Sequence, residues 1–249
     1  MTISIVTVCY NSANTLEATI LSVKKQTYAD IEYIIIDGAS RDVSLNIIKK
    51  YEPEFNGKMK WVSEPDKGLY DAMNKGIKLA TGDVIGLINS DDLFFDDYAL
   101  EKVMKVFEDN PKLDSVYADL YYVSQSNTDK IVRKWVTGKQ RFFNLGWHPA
   151  HPTLYLKKEV YEKFGLFNLD FKLAADFELM LRFFDKHKIS SIYIPEPFVK
   201  MRLGGETNRS FVNIYKQNLE CIKAFAINDI GVNRLLYPFY RVLPKLFQF

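Results

Sequence analysis

Val84-Ile85-Gly86-Leu87-Ile88-Asn89-Ser90-Asp91-Asp92 is a short apolar run that ends abruptly in an amide and two carboxylates. Its β-branched content, its length and the flanking Gly82 predict a strand covered on both faces. Strands of that kind belong to parallel sheets, and ligands bind at their carboxyl ends. Asp91 and Asp92 fall at that end. Two unpaired carboxylates cannot stay charged in an apolar setting, because desolvation raises their pKa values until they neutralise. A cation or water must meet them, and hard oxygen ligands on a loop suit Mg²⁺ or Mn²⁺. The competing explanation is local: Asp92, Asp96 or Asp97 would cap a helix beginning near Tyr98.

Upstream, Ile3 to Val8 is a first buried strand that leaves through Cys9-Tyr10-Asn11-Ser12. Asn14 and Glu17 have capping-box spacing ahead of a helix whose apolar face is Leu16, Ile20 and Val23. Ile31 to Ile36 is a second strand, stopping at Asp37-Gly38-Ala39-Ser40, and a helix through Val43, Ile47 and Ile48 leads to a short strand around Lys60-Trp61-Val62. Strand, turn and helix repeat, which calls for a parallel sheet with right-handed crossovers. Glu64-Pro65-Asp66-Lys67-Gly68 is a turn before a helix carrying Leu69, Ala72, Met73, Ile77 and Ala80 inward, with Asp71, Asn74 and Lys75 off that stripe.

Downstream, a helix from Tyr98 to Phe107 and a strand from Val116 to Val123 are expected, then aromatic-rich pieces from Ile131 and a helix from Lys158 to Phe164. Ala174-Ala175-Asp176 opens a helix running through Arg182 to Lys186, with Asp176 as N-cap or first-turn acid. A strand at Ile192 to Ile194 and a turn at Pro195-Glu196-Pro197 precede Arg202-Leu203-Gly204-Gly205. That loop is either one that folds over a phosphate or an ordinary flexible connection.

The 249 residues, 47% of them hydrophobic, suffice for a large α/β domain. A formal charge of +2 gives no sign of attraction to nucleic acid. Cys9 and Cys221 form neither a disulfide framework nor a metal spacing, in keeping with a reducing compartment. Neither a signal peptide nor a membrane span is expected, since the start lacks a basic region and no long uncharged apolar window occurs. Residues 233–249 combine basic, aromatic and aliphatic side chains with no acid. They would either lie at a lipid headgroup interface or pack back on the domain or on a partner subunit.

The expected topology places Cys9-Tyr10-Asn11, Asp37 and Asn89-Ser90-Asp91 along one sheet edge. A ring, a carboxylate acceptor and a cation site together fit a nucleoside diphosphate. Glycine-rich phosphate loops of the dinucleotide or P-loop type are missing after the first strand, which counts against those classes.

These stretches, with Asp71-Ala72-Met73-Asn74-Lys75-Gly76, His151-Pro152-Thr153 and Ala174-Ala175-Asp176-Phe177-Glu178-Leu179-Met180-Leu181-Arg182, resemble family 2 glycosyltransferases of GT-A fold. The resemblance implies an α/β, Rossmann-like, mostly parallel sheet flanked by helices, with a helical C-terminal extension. It implies a domain over 1–205, divided into a nucleotide-binding half (1–123) and an acceptor half (124–205), and an extension over 206–249. Asp37 would contact the base, with Thr7, Tyr10 and Asn11 lining its pocket; Asp66 would precede the helix whose Asn74 faces the donor. The family's D-x-D element falls on Asn89-Ser90-Asp91, where Asn89 and Ser90 would touch the nucleotide, Asp91 and Asp92 the Mn²⁺ or Mg²⁺, and His151 the metal or diphosphate. Asp176 would be the catalytic base, and Arg202, Gly204 and Gly205 the segment closing on the donor.

The activity so implied is inverting transfer from a nucleotide-sugar, most simply a UDP-sugar, to a glycan or lipid-linked acceptor in surface polysaccharide synthesis. The expected place is the cytoplasm, peripheral on the inner face of the membrane if the tail touches lipid, with an oligomer open. In-line attack on the anomeric carbon needs one carboxylate to take the acceptor proton, while a cation stabilises the leaving diphosphate. Two other readings use the same pocket: a nucleotidyltransferase that makes sugar nucleotides, and a non-catalytic binding protein of the same fold.

Overall fold

β1 (Ile3–Cys9) is buried at all seven positions and lies between β2 (Ile31–Asp37) and β4 (Val84–Leu87), parallel to both. This is the arrangement found in the computed structural model, which describes residues 1–204 and 211–242. β3 (Met59–Ser63) extends the sheet on the far side of β2. The pairing Cys9↔Asp37 and Asp37↔Ser63 brings the carboxyl ends of three strands level. Val6 pairs with Leu87, so Ile88 and the polar residues after it reach the same rim.

β8 (Tyr155–Lys157) runs antiparallel between β4 and β6 (Ser115–Val123), and β9 (Ser191–Arg202) runs parallel to β6. β7 (Ile131–Trp135) pairs with β6, and the two-residue β5 (Leu93–Phe94) pairs antiparallel with β9. The sheet is therefore mixed. Its order, β3-β2-β1-β4-β8-β6-β9-β5, keeps the expected parallel half intact.

Two apolar layers cover the sheet. On one face α1 (Leu16–Lys24), α2 (Ser44–Tyr51) and α4 (Ala99–Asp109) meet Ile3, Ile5 and Cys9 of β1. On the other, α3 (Leu69–Leu79), α5 (Lys158–Phe164) and α6 (Ala175–Leu181) meet Val6 and Val8. α7 (Phe211–Ile227) and α8 (Tyr237–Val242) join this second layer through Cys221, Ala224, Phe225 and Tyr237, all without exposed surface. None of the helices in the described residues is long and apolar enough to cross a membrane.

Three local expectations are corrected. The capping box at Asn14 does not form: Thr15 is the N-cap without a side-chain bond, and Glu17 instead accepts from Lys50 Nζ at 2.8 Å and Tyr51 Oη at 2.6 Å. A cation on the neighbouring helix outcompetes a backbone N–H for that carboxylate. Asp176 takes the second of its two expected places, as a first-turn acid behind the N-cap Ala174. The helix it opens stays α only to Leu181 and finishes as a π turn over Arg182–Lys186. Pro195-Glu196-Pro197 is no turn: β9 runs through it, with its register against β6 shifting on both sides of Asp119. A bulge tolerates proline because no ladder N–H is required there.

Gly76 shows how tightly α3 lies on the sheet, since a Cβ there would overlap the Val6 side chain. Alanine in mid-helix normally gains about 0.5–1 kcal/mol over glycine. Overpacking a β-branched strand residue costs about 1–3 kcal/mol. The second effect wins. Gly76→Ala is expected to lower stability by about 1–2 kcal/mol in urea unfolding; unchanged or higher stability would show that α3 moves freely off β1.

Candidate active site

The ends of β1, β2 and β3 are tied together by Asp37, which has no exposed surface. Its Oδ2 accepts from Ser63 Oγ at 2.6 Å and the Ser40 N–H at 3.1 Å, and its Oδ1 accepts from the Cys9 thiol at 3.6 Å. Burial and this carboxylate push the thiol well above its ordinary pKa. Asp37 was expected as an open acceptor for a base; here it is enclosed, and its oxygens fasten the strand ends. Thr7 is corrected likewise, because it is fully buried and its Oγ1 accepts from Tyr33 Oη at 3.1 Å.

The open groups of this corner are Tyr10 and Asp66. The Tyr10 ring is 60% exposed, large for a ring flanked by polar groups. The Asp66 carboxylate lies over Gly38, where a Cβ would come within 2.5 Å of Oδ2 and 3.4 Å of the Tyr10 ring. Asp66 Oδ1 accepts from the Gly68 N–H at 2.8 Å. Oδ2 faces the slot beside the ring. Asn11, at φ 49°, accepts from the Arg41 N–H at 2.8 Å and shapes the turn.

Ser12 carries the rim across to β4, with its Oγ 2.9 Å from Ser90 Oγ. Beyond it, Asp92 is fully buried. Its Oδ2 accepts from Asn89 Nδ2 at 2.9 Å, while Asp92 Oδ1 and Asn89 Oδ1 are buried with no hydrogen-bond partner. Burial first, and the Asp91 charge second, drive the Asp92 carboxyl pKa well up. Burial also raises that of Asp91, against the pull of the Arg202 guanidinium. None of the candidate acids caps the following helix: its N-cap is Tyr98 without a side-chain bond, and Asp96 accepts from the Tyr98 N–H at 2.9 Å just ahead of it.

β5 sets Arg202 in place. Leu93 pairs with Lys200 in an antiparallel register, which puts Arg202 opposite Asp91. Its Nη1 donates to the Asp91 carbonyl at 2.7 Å, across 111 residues of chain. Gly204 follows at φ 115°, and Gly205 lies outside the described residues.

A third cluster surrounds Asp176. Tyr70, in the first turn of α3, donates its phenol O–H to Asp176 Oδ1 at 3.1 Å, and burial plus that carboxylate raise the phenol pKa. The Tyr70 ring stacks on Phe167 at 5.4 Å. His151 meets the same ring edge-on at 6.4 Å, lies within the field of Asp176, and has a buried Nε2 without a partner. Its imidazole pKa is lowered, chiefly by burial. Asn74 was expected to face the donor, but both its amide atoms are spent on the backbone of Phe167, at 2.9 Å each.

Neither Tyr70 nor Glu220 was singled out from the sequence. Glu220, from α7, accepts the N–H groups of Lys172, Leu173 and Ala174 at 2.8–3.1 Å and so fixes the segment leading into Asp176. The signal for Tyr70 was its place just after the Glu64–Gly68 turn; Glu220 gave none.

The expected trio Asp91, Asp92 and His151 is not a metal cage. Among the described residues no three His, Cys, Asp or Glu side chains gather to hold an ion. His151 is linked to Asp176 and Phe167 instead. The oxygen-rich end of β4, with its orphaned Asn89 and Asp92 oxygens, still fits a hard cation of the kind that uses one or two carboxylates and takes its remaining ligands from phosphate and water. A hollow lined by Asp114, Glu159, Lys163 and His187 contains none of the expected residues.

Comparison with known proteins gives the family and the fold. An uncharacterized glycosyltransferase of Mycobacterium tuberculosis is 30% identical over 195 residues, covering 73% of this chain and 68% of that one. A PGL/p-HBAD biosynthesis glycosyltransferase of Mycobacterium bovis is 26% identical over 198 residues, covering 77% and 73%. Among solved structures, S. aureus TarS in complex with UDP-GlcNAc superposes with a TM-score of 0.68 at 15% identity, over 97% of this chain and 70% of that one. The mannosyltransferase PcManGT of Pyrobaculum calidifontis, in complex with GDP-Man and Mn²⁺, gives 0.68 at 16% identity, over 97% and 68%. The likeness to these structures shows the GT-A fold. With residues 4–174 matching the model for glycosyl transferase family 2, the chain belongs to that family.

Proposed function

We propose that the protein is an inverting glycosyltransferase that moves a sugar from a nucleotide-sugar, most simply a UDP-sugar, to a hydroxyl of a glycan or lipid-linked acceptor. The observation that carries this reading is the spatial separation of two acidic groups on one rim. Asp91 stands at the end of β4 beside Arg202, and Asp176 stands on α6 under Tyr70. α3 connects them to the base slot, since the turn that holds Asp66 runs straight into Tyr70. Complexes of TarS with UDP-GlcNAc and of PcManGT with GDP-Man and Mn²⁺ support a nucleotide-sugar donor.

In this reading the base packs against Tyr10, with its N–H directed to Asp66 Oδ2 and Asp37 holding the slot together from behind. Asn89 and Ser90 reach the ribose. Asp91 would hold Mn²⁺ or Mg²⁺, whose chemistry is to neutralise the diphosphate, and Arg202 adds a second positive charge beside it. Asp176 accepts the acceptor's proton as the hydroxyl attacks. Tyr70 is a positioning residue: its O–H fixes one carboxylate oxygen, leaving the other for the incoming alcohol. Participation in surface glycan synthesis fits the M. bovis relative named for PGL/p-HBAD biosynthesis.

Asp176→Asn is expected to cut kcat for sugar transfer at least ~10²-fold, the usual worth of a general base, with UDP affinity unchanged. Tyr70→Phe should lower kcat roughly 10-fold with little change in donor KM, because the carboxylate loses the phenol that fixes one of its oxygens. Near-normal turnover by Asp176→Asn would remove it as the base. An unchanged kcat in Tyr70→Phe would reduce that tyrosine to packing.

Gly38→Ala drives a methyl group into Asp66 and is expected to weaken UDP binding about 10-fold or more in calorimetry, with thermal stability retained. Unchanged affinity would take the base away from Asp66.

Asp92 provides a test in pH. Its folded-state pKa is raised, so the stability it contributes is full below the ordinary carboxyl pKa and is lost as pH climbs toward the folded value. At neutral pH burial of this carboxyl therefore opposes folding. Asp92→Asn should therefore raise the melting midpoint at pH 7 by about 2–4 °C, the response to ~1 kcal/mol in a chain of this size, with the gain shrinking toward pH 4. Mn²⁺ with UDP should narrow the same gap. A gain independent of pH would show that burial of this charge is not what strains the site.

A further inference from the structure

Two acid-free runs of the sequence meet beside α6 through their described residues. Residues 130–158 and 230–249 contain no Asp or Glu. The structure joins them: Asn144 Nδ2 donates to the Gly231 carbonyl at 3.5 Å, and Gly146 packs so closely on the Tyr240 backbone that no Cβ would fit. One face of α8 is committed to the core, with Tyr237 fully buried and Arg241 donating to Asn218 and Gln217 of α7. The opposite face and its surroundings are bare. Leu235 is 81% exposed, Phe239 71% and Phe142 69%, with Leu145, Leu236 and Val242 exposed around them. Lys139, Arg141 and Arg234 are exposed in the same two stretches.

We infer that this face is a membrane-docking surface for anionic lipid, built jointly by the 139–145 loop and the α8 region. Aromatic and aliphatic side chains beside unpaired cations are what a headgroup interface takes up. A second copy of the chain is the poorer occupant, because an isologous contact would set the same cations against each other. The surface also has a purpose where it stands. Tyr237 and Phe143, which underlie it, pack on Phe177 at 6.1 and 5.8 Å, and Phe177 follows Asp176 in the chain. A lipid-anchored acceptor would then arrive beside Asp176, a consequence that rests on the reading of Asp176 as base; the docking itself does not.

The test is co-sedimentation of the full chain with phosphatidylcholine vesicles, with and without phosphatidylglycerol. The protein should partition onto the anionic vesicles and be released by high salt. Leu235→Glu/Phe239→Glu and, separately, Arg141→Glu/Arg234→Glu should each lower partitioning at least ~10-fold while UDP still raises the melting midpoint. Partitioning equal to wild type in both variants overturns the inference, as does wild type that ignores anionic vesicles. So does light scattering that shows a dimer which Leu235→Glu/Phe239→Glu splits, since another copy then covers the patch. Asp176→Asn should bind vesicles normally, so failure of the proposed chemistry and failure of docking read out separately.

Discussion

Parallel pairing in register brings the carboxyl ends of β1, β2, β3 and β4 to one rim, and the polar groups delivered there have to be satisfied where little water reaches. The rim answers in two ways. At β2 the protein supplies the donors itself, and Asp37 is fully bound by serine, backbone and thiol. At β4 it does not: Asn89 and Asp92 each keep a buried oxygen without a partner. Hydrogen bonds that could have been made and were not mark where an incoming ligand contributes to stability. The first corner is thus closed by the protein's own donors, while the second keeps unmet acceptors.

Residue type alone does not say which acid at such a rim keeps a free oxygen. Asp37 and Asp66 are both acids at a strand end or the turn beyond it, and the sequence favoured the first as base acceptor. What separates them is a side-chain count: Asp37 has Ser63 and Cys9 aimed at it from neighbouring strands, whereas Asp66 is held on one oxygen by Gly68. Cross-strand partners depend on register, which periodicity does not reveal. Asn74 fails for a related reason, since a polar residue off the apolar stripe of α3 looked solvent-facing, yet the loop at Phe167 folds over it.

Much else was legible. The parallel half of the sheet and the helices on its two faces followed from apolar runs and turn residues. The short β5 and β8 were not, being two and three residues long with no alternation to read. β5 matters most among them, because its antiparallel register is what puts Arg202 against Asp91. Pro195 and Pro197 misled in the opposite direction: prolines that signal a turn in isolation sit here in a bulge of a long strand.

The helices after residue 211 bear on the chemistry more than an appendage would. α7 buries Cys221, Ala224 and Phe225 in the same apolar layer that carries α3 and α6, and its Glu220 gathers three consecutive N–H groups ahead of Asp176. Arg182 grips the carbonyls of Phe164 and Leu166 while bonded to Glu178, and Asn228 donates to the same Glu178. The segment between α5 and α6 is thus held from α3 by Asn74, from beyond α6 by Arg182 and from α7 by Glu220. On the proposed reading of Asp176 as base such fixation matters, because small misplacements of a base cost rate steeply. The expected boundary near residue 205 divides the chain, but the described parts on either side build one support for Asp176.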